Sequence, residues 1–342
     1  MYKPQFRITP TFLNLMTEAA ELRAWIARSV VDVTWLPRLQ RDTASRLAHS
    51  STAIEGNPLT LPEVEALARG ETTAPLTQPK REVLNYLAAM RWLWSQAPKA
   101  KVDEKNLLEL HRVISSGLLE DASVGRYKTH PNRIVDHKGR TVYTPPAPDA
   151  AGSLTRELLA WIHSEETAGL HPVLVSAIAH HRLVSIHPFA DGNGRTSRAL
   201  AVWVLYTRGF DTHHLFALDE FFEVDRQQYY LKIQQVRDLD DDLTYWLDYV
   251  GEGVVVTLRQ TRNRIESLQI HAGAAKILLT PRQEDVLRYL RDRGRVRSSH
   301  LEKDFKITRA RIGQIIKPLV DAGIIVREGQ TRATTYRMAP SK

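Results

Sequence analysis

Apolar residues recur at helical spacing along most of this chain, and before residue 280 a single stretch, 125–148, departs from that spacing. This restricts the fold to a mainly α architecture with one small β insertion. In 80–96 the residues Val83, Leu84, Leu87, Met90, Leu93 and Trp94 trace one apolar stripe, and a second helix over 103–118 opens on Asp103 as N-cap. A helix over 42–55 stops at Gly56-Asn57-Pro58, because glycine followed by proline cannot continue it. Further helices are predicted over 12–47 with a break near Trp35-Leu36-Pro37, then over 61–67, 149–166, 171–185, 195–207, 227–237 and 243–270. In the exceptional stretch, Ile134-Val135 and Thr141-Val142-Tyr143 flank His137-Lys138-Gly139, which predicts a hairpin.

From Thr280 the pattern shifts to three short helices, over 280–290, 298–305 and 308–319. Two runs, 323–330 and 334–338, then predict a two-stranded wing. Helix, helix, helix, hairpin is the order of a winged helix-turn-helix. This is also where the charge lies. The net charge is +8, and residues 276–342 hold sixteen Lys/Arg against seven Asp/Glu, leaving the remainder nearly neutral. A small basic domain is the electrostatic footprint of a phosphate-rich partner. DNA binding through 276–342 is therefore expected, by Arg309, Arg311 and Lys317 with Arg327, Arg332 and Arg337 on the wing; a protein-docking role is the alternative.

The chain has no cysteine, which excludes disulfides, thiolate metal sites and a cysteine nucleophile. Its longest apolar run, 199–206, is far short of a membrane span, and the N-terminus lacks the layout of a secretory signal. A cytoplasmic protein with no membrane segment is expected.

The loop His187-Pro188-Phe189-Ala190-Asp191-Gly192-Asn193-Gly194-Arg195-Thr196-Ser197-Arg198 combines several chemistries. A histidine can take a proton near neutral pH. Asp191 can hold a hard divalent cation. Gly192-Asn193-Gly194 before a helix can turn backbone N–H groups into an anion nest, strengthened by the helix N-terminus. Arg195 and Arg198, three apart, add positive charge on one side. Singly, each residue is an ordinary loop or capping residue. As an ordered set they describe a polyphosphate site beside a base, suited to phosphoryl or nucleotidyl transfer.

The loop resembles the signature of the Fic family of protein adenylyltransferases, His-x-Phe-x-Asp/Glu-Gly-Asn-Gly-Arg-x-x-Arg, with every fixed position met. The resemblance spans about 40–249 and implies a Fic-type helical core. It implies Mg²⁺-dependent transfer of AMP from ATP to a Ser, Thr or Tyr hydroxyl of a protein, the chain itself included. His187 would be the general base and Asp191 the Mg²⁺ ligand. Gly192, Asn193, Gly194, Arg195, Thr196, Ser197 and Arg198 would form the ATP site, and Phe189 would anchor the loop in the core.

Three other elements extend the resemblance. The hairpin 132–144 corresponds to the family flap, with Ile134, Val135 and Tyr143 docking the target by strand addition. Tyr229 and Tyr230 correspond to a tyrosine pair beside the nucleotide; Tyr230 is expected on the ligand and Tyr229 in the core, while Arg237 stands where an asparagine is usual. Ser51-Thr52-Ala53-Ile54-Glu55-Gly56 resembles the family's inhibitory helix, in which Ser51, Glu55 and Gly56 are the pattern and Glu55 pairs with Arg198. The implied layout is an N-terminal helical region over 1–100 with the inhibitory helix at about 42–56, a catalytic core over 101–250, a helix and linker over 251–275, and the winged domain over 276–342. Members with this layout form dimers, so a homodimer is expected. Two other readings stay open: removal of AMP from a modified protein, with Glu55 aligning water, and a DNA-binding regulator that senses nucleotide. A zinc site at His180, His181 and His187 is weakened because adjacent histidines diverge around a helix and no second carboxylate motif lies nearby.

Overall fold

The structure, a computed structural model, describes residues 2–30, 36–71, 75–96, 100–135, 138–271, 280–305, 307–329 and 334–339. Trp35, His137, Lys276, Arg332 and residues 272–275 of the expected linker lie outside the described residues. The chain divides into two compact units, 1–24 with 40–259 and 25–39 with 260–342. The division falls inside three helices, and residues 40–100 belong to the same unit as the expected catalytic core.

The first unit is built from helices. In chain order these are α1 (Pro10–Val30), α2 (Leu36–Ile54), α3 (Leu61–Ala68), α4 (Gln78–Gln96), α5 (Glu104–Ser115), α6 (Pro148–Ile162), α7 (Glu165–Ala168), α8 (Pro172–Ile186), α9 (Asn193–Thr207), α10 (Leu218–Val224), α11 (Arg226–Asp238) and α12 (Thr244–His271), with α1, α2 and α12 crossing the boundary. Asp103 caps α5 by accepting from the Asn106 N–H at 2.9 Å. The expected helix over 149–166 is two, α6 and α7, because Ser164 starts a new N-terminus. Helix α10 escapes the periodicity argument altogether: seven residues are too few to show a stripe.

At the centre, α8 and α9 pack side by side and are buried on nearly every face, the mark of helices enclosed by others. Helices α4, α5 and α6 pack around this pair. Trp246 on α12 donates to the Ala177 carbonyl of α8 at 2.8 Å. The end of α2 follows directly from its sequence. Gly56 takes φ 94°, the Gly56 N–H reaches the Ala53 carbonyl and the Asn57 N–H reaches Thr52, which together close the helix in a Schellman motif. The hairpin pairs β1 (Ile134–Val135) antiparallel to β2 (Thr141–Tyr143), with Ile134 opposite Tyr143.

In the second unit, α13 (Pro281–Arg293), β3 (Val296–Arg297), α14 (Ser298–Phe305), α15 (Arg309–Asp321), β4 (Ile325–Glu328) and β5 (Thr335–Met338) enclose Leu290, Leu301, Ile312, Ile316, Leu319, Ile325 and Tyr336. Thr280 and Gln283 form a capping box at α13, as their spacing requires. The sheet has three strands in the order β3-β5-β4, not two. The extra strand is two residues long, too short to carry an alternating pattern.

Candidate active site

Helix α8 ends at His187, which takes a left-handed conformation, φ 49° and ψ 57°. That conformation costs a non-glycine residue on the order of 1–2 kcal/mol. Strain of this kind persists where the surroundings over-determine it. Here the His187 N–H is held by the Leu183 carbonyl at 3.0 Å, and the ring Nδ1 lies 3.2 Å from the Val184 carbonyl. A carbonyl only accepts, so Nδ1 carries the proton and Nε2 carries the lone pair. Burial lowers the imidazole pKa to about 4, assisted by Lys128 and Arg237 and opposed by the Val184 carbonyl and Glu55, so the ring is neutral at pH 7.

The loop after His187 is fixed by its carbonyls. Pro188 O accepts from the Lys128 N–H at 2.8 Å, and Phe189 O accepts from Asn132 at 3.0 Å and Asn193 at 2.9 Å. Asp191 O lies 3.0 Å from His111 Nε2. Phe189 is buried and stacks on His111 with centroids 3.8 Å apart, the anchoring role expected for it. Gly192 takes φ 76°, and α9 then begins with no side-chain cap, so its first N–H groups stay open to an anion.

Three expected nucleotide contacts are relocated. The Asn193 amide is turned onto the Phe189 backbone, accepting its N–H at 2.8 Å and donating to its carbonyl. The hydroxyls of Thr196 and Ser197 donate to Gly192 O and Asn193 O, each at 2.8 Å. All three side chains are buried and spend their hydrogen bonds on the loop and helix, so only their backbones remain to meet a nucleotide.

Asp191, with its side chain 67% exposed, keeps only a loose contact with Arg195 at 3.5 Å among the described residues. Arg195 and Arg198 are 5% and 1% exposed, yet Arg195 Nε and Nη1 and Arg198 Nη1 have no hydrogen-bond partner among the described residues. Buried guanidinium N–H groups left unpaired are costly, and an anion at this place would supply the acceptors they lack.

The rest of Arg198 is occupied. Its Nε donates to Ser51 Oγ at 2.8 Å, and Nη2 donates to Ser51 O and Glu55 Oε1, each at 2.8 Å. Ser51 and Glu55, four apart on α2, thus converge on one guanidinium, as their shared helical face requires. Glu55 Oε1 also fills the space that a Cβ on Gly194 would need. Behind the arginine, Asp219 Oδ2 lies 3.8 Å from Nε and accepts from the Tyr86 hydroxyl at 3.0 Å. Burial opposes the charge on Arg198, but Glu55, Tyr229 and Asp219 hold its pKa well above the ordinary value.

The tyrosine pair divides between core and surface. Tyr229 is 1% exposed with its hydroxyl 2.9 Å from His180 Nε2, whereas Tyr230 is 44% exposed and donates to the Ile54 carbonyl of α2 at 2.9 Å. Arg237 lies over the Tyr143 ring at 3.6 Å, and Tyr143 donates to Ser185 O at 3.1 Å, so this arginine braces the hairpin. Val135 on the hairpin is exposed and Ile134 and Tyr143 half-buried. The zinc reading fails on geometry. His180 and His181 are committed to Tyr229 and to Ile233 O, and no cluster of three or more potential metal ligands occurs among the described residues.

Sequence reasoning missed His111, Lys128, Asn132 and Asp219, which come from α5, the flap approach and α10. A signal existed for His111: it falls on the stripe of Leu107, Leu110 and Ile114, a place for a buried residue. None existed for Asp219.

Residues 101–205 match the model of the Fic/DOC family. The chain is similar to the protein adenylyltransferase Fic of Drosophila virilis, 32% identical over 178 residues, which are 51% of this chain and 35% of that protein. It is likewise 32% identical over 182 residues to protein adenylyltransferase fic-1 of Caenorhabditis elegans, covering 52% and 34%. The chain thus spans about a third of the length of these curated relatives. Among solved structures, a Fic family protein from Desulfovibrio desulfuricans G20 shares the fold over 100% of this chain and 99% of that one, with a TM-score of 0.71 and 24% identity. Fic-1 of C. elegans (residues 134–508) superposes with a TM-score of 0.61 at 26% identity, over 73% of this chain and 71% of that one. The match in sequence falls on the helices and loop whose geometry is described above, and over residues 101–205 the chain is similar to the Fic/DOC family.

Proposed function

We propose that the chain is a protein adenylyltransferase, moving AMP from ATP to a Ser, Thr or Tyr hydroxyl of a protein and restrained by its own α2. The observation that carries this reading is a neutral imidazole, its Nε2 without a hydrogen-bond partner among the described residues, on the same loop as two buried arginines that each keep an N–H without a partner among those residues. His187 Nε2 takes the hydroxyl proton as the hydroxyl oxygen bonds to the α-phosphorus. The bond from that phosphorus to its bridging oxygen breaks, and pyrophosphate leaves with the electron pair. The α9 N-terminus, Arg195 and Arg198 receive the phosphates, and Tyr230 offers an aromatic wall to adenine. Asp191 would hold Mg²⁺, which takes one or two carboxylates together with substrate phosphates and neutralises their charge; an exposed carboxylate with one loose contact suits that role. Val135 and Tyr143 on the hairpin would meet the target as an added strand.

Glu55 gives the restraint. Its carboxylate already holds Arg198 and lies against Gly194, the ground a terminal phosphate would need. The test is ATP labelled at either the α- or the γ-phosphate. Label from the α-position is expected on protein, and Glu55→Gly is expected to raise it about tenfold or more, equivalent to about 1.4 kcal/mol. Transfer of γ-label would make the protein a kinase and end this reading. A requirement for Glu55 in stripping AMP from a modified protein would favour the hydrolytic alternative.

For the basic unit, one observation favours duplex DNA as partner. Exposed Ala310, Gly313, Gln314 and Lys317 share one face of α15, flanked by Arg311. A Cβ on Gly313 would meet nothing within 4 Å, so its cost to the helix has no internal cause. Small residues there let the backbone approach a groove, as a recognition helix must. The full chain is expected to bind duplex oligonucleotides with strong salt dependence. Arg311→Ala and Lys317→Ala should each lower the slope of log affinity against log salt by about 1. A slope unchanged in both variants would point to a protein partner.

A further inference from the structure

We infer that His111, on α5 and eighty residues from the loop it serves, is a positioning residue that aims the peptide following Asp191. This rests on the adenylyltransferase reading only for its consequence in catalysis; the binding consequence stands by itself.

The argument begins with the two ring nitrogens. His111 Nδ1 accepts the Gly125 N–H at 3.1 Å, and a backbone N–H can only donate. Nδ1 therefore has no proton, and in the neutral ring the proton sits on Nε2. Nε2 in turn faces the Asp191 carbonyl at 3.0 Å, which can only accept. Both partners select the same tautomer, and the ring cannot rotate without losing both. The stack on Phe189, with ring planes 4° apart, fixes it further.

In a trans peptide the carbonyl and the following N–H point to opposite sides. Capture of Asp191 O by α5 therefore turns the Gly192 N–H away from α5. No backbone acceptor among the described residues takes up that N–H. The same hydrogen bond sets the backbone from which the Asp191 carboxylate projects. His111 thus stands behind both the first N–H of the anion nest and the proposed Mg²⁺ ligand, without touching either guest. Partners of this kind behind a metal ligand are worth about 10–100-fold in metal affinity.

The two functions of the ring can be separated. A glutamine amide reaches about as far as Nε2 and keeps a donor for Asp191 O, whereas an asparagine amide reaches only to the Nδ1 position and keeps an acceptor for Gly125. In the Glu55→Gly background, ATP affinity measured calorimetrically across a Mg²⁺ titration should show His111→Asn needing about tenfold or more extra Mg²⁺ for half-maximal enhancement, with His111→Gln within about threefold of the parent. Thermal unfolding of both variants keeps the comparison to folded protein. If the asparagine variant does not fold, nitrogen-15 shifts of the His111 ring in the full-length unmutated chain decide, and a proton on Nδ1 overturns the inference. Equal Mg²⁺ requirements in the two variants overturn it as well. ATP and Mg²⁺ binding that follows this pattern in a protein that transfers no AMP would count against the proposed function alone. A parent that binds no ATP would count against both.

Discussion

Replacing His187 by alanine is expected to lower AMP transfer by about 10²–10⁴-fold while leaving ATP affinity within about twofold. The imidazole touches no group that holds phosphate; its Nδ1–H is spent on Val184 O and its Nε2 is free for a proton. The loss should therefore fall on the chemical step and not on binding. The pH dependence follows with a definite sign. Burial sets the His187 pKa at about 4, so the base is fully available at pH 7, and its availability falls tenfold per unit once the pH drops below about 4. A rate profile with an acid limb near pH 6.5, the pKa of a solvated imidazole, would contradict the buried geometry. His187→Gly gives an independent check on the backbone. It should be as slow as the alanine variant yet more resistant to urea by about 1 kcal/mol, because glycine takes φ 49° without steric cost. If the glycine variant is less stable than the alanine variant, the left-handed conformation is not a source of strain.

Asp219→Ala is expected to destabilise the first unit by about 3–5 kcal/mol, read as a lower midpoint in urea. The carboxylate is buried between Arg198 and Tyr86, and its removal leaves the Tyr86 hydroxyl without its acceptor and the guanidinium with one less counter-charge. Burial pushes the Asp219 carboxyl up and Arg198 opposes this, so the pair is held in a tight electrostatic balance. Because Glu55 is the other carboxylate on Arg198, Asp219→Ala and Glu55→Gly should not be additive. The double variant should lose more than the sum of the two single losses, since it strips both counter-charges from a buried cation. Simple additivity would mean that Arg198 draws its compensation elsewhere.

The sequence made the candidate loop legible because the residues proposed as base, cation ligand, nest and arginines are contiguous, all between 187 and 198. It also made a long-range contact legible. Ser51 and Glu55 are 147 and 143 residues from Arg198, but their spacing on one helix places both on the same guanidinium. Legibility failed where a residue type has two uses. Asn193, Thr196 and Ser197 are polar residues inside a polyphosphate motif, and only the hydrogen-bond geometry reveals that their side chains hold the loop's own backbone. It failed again for Asp219, which lies on a helix too short for periodicity and has partners chosen entirely by tertiary packing. Strand β3 is the same problem in the second unit, since two residues pair with Thr335 and Tyr336 only because the turn at Gly294 delivers them there.

The carboxylate of Glu55 that rests on Arg198 is tethered to the same chain as the site we propose it restrains. A tethered competitor has an effective concentration set by the chain and not by the number of molecules in the tube. The brake should therefore hold equally at nanomolar and millimolar protein, and dilution should not release it. It yields only to something that outbids it for the guanidinium or that moves α2.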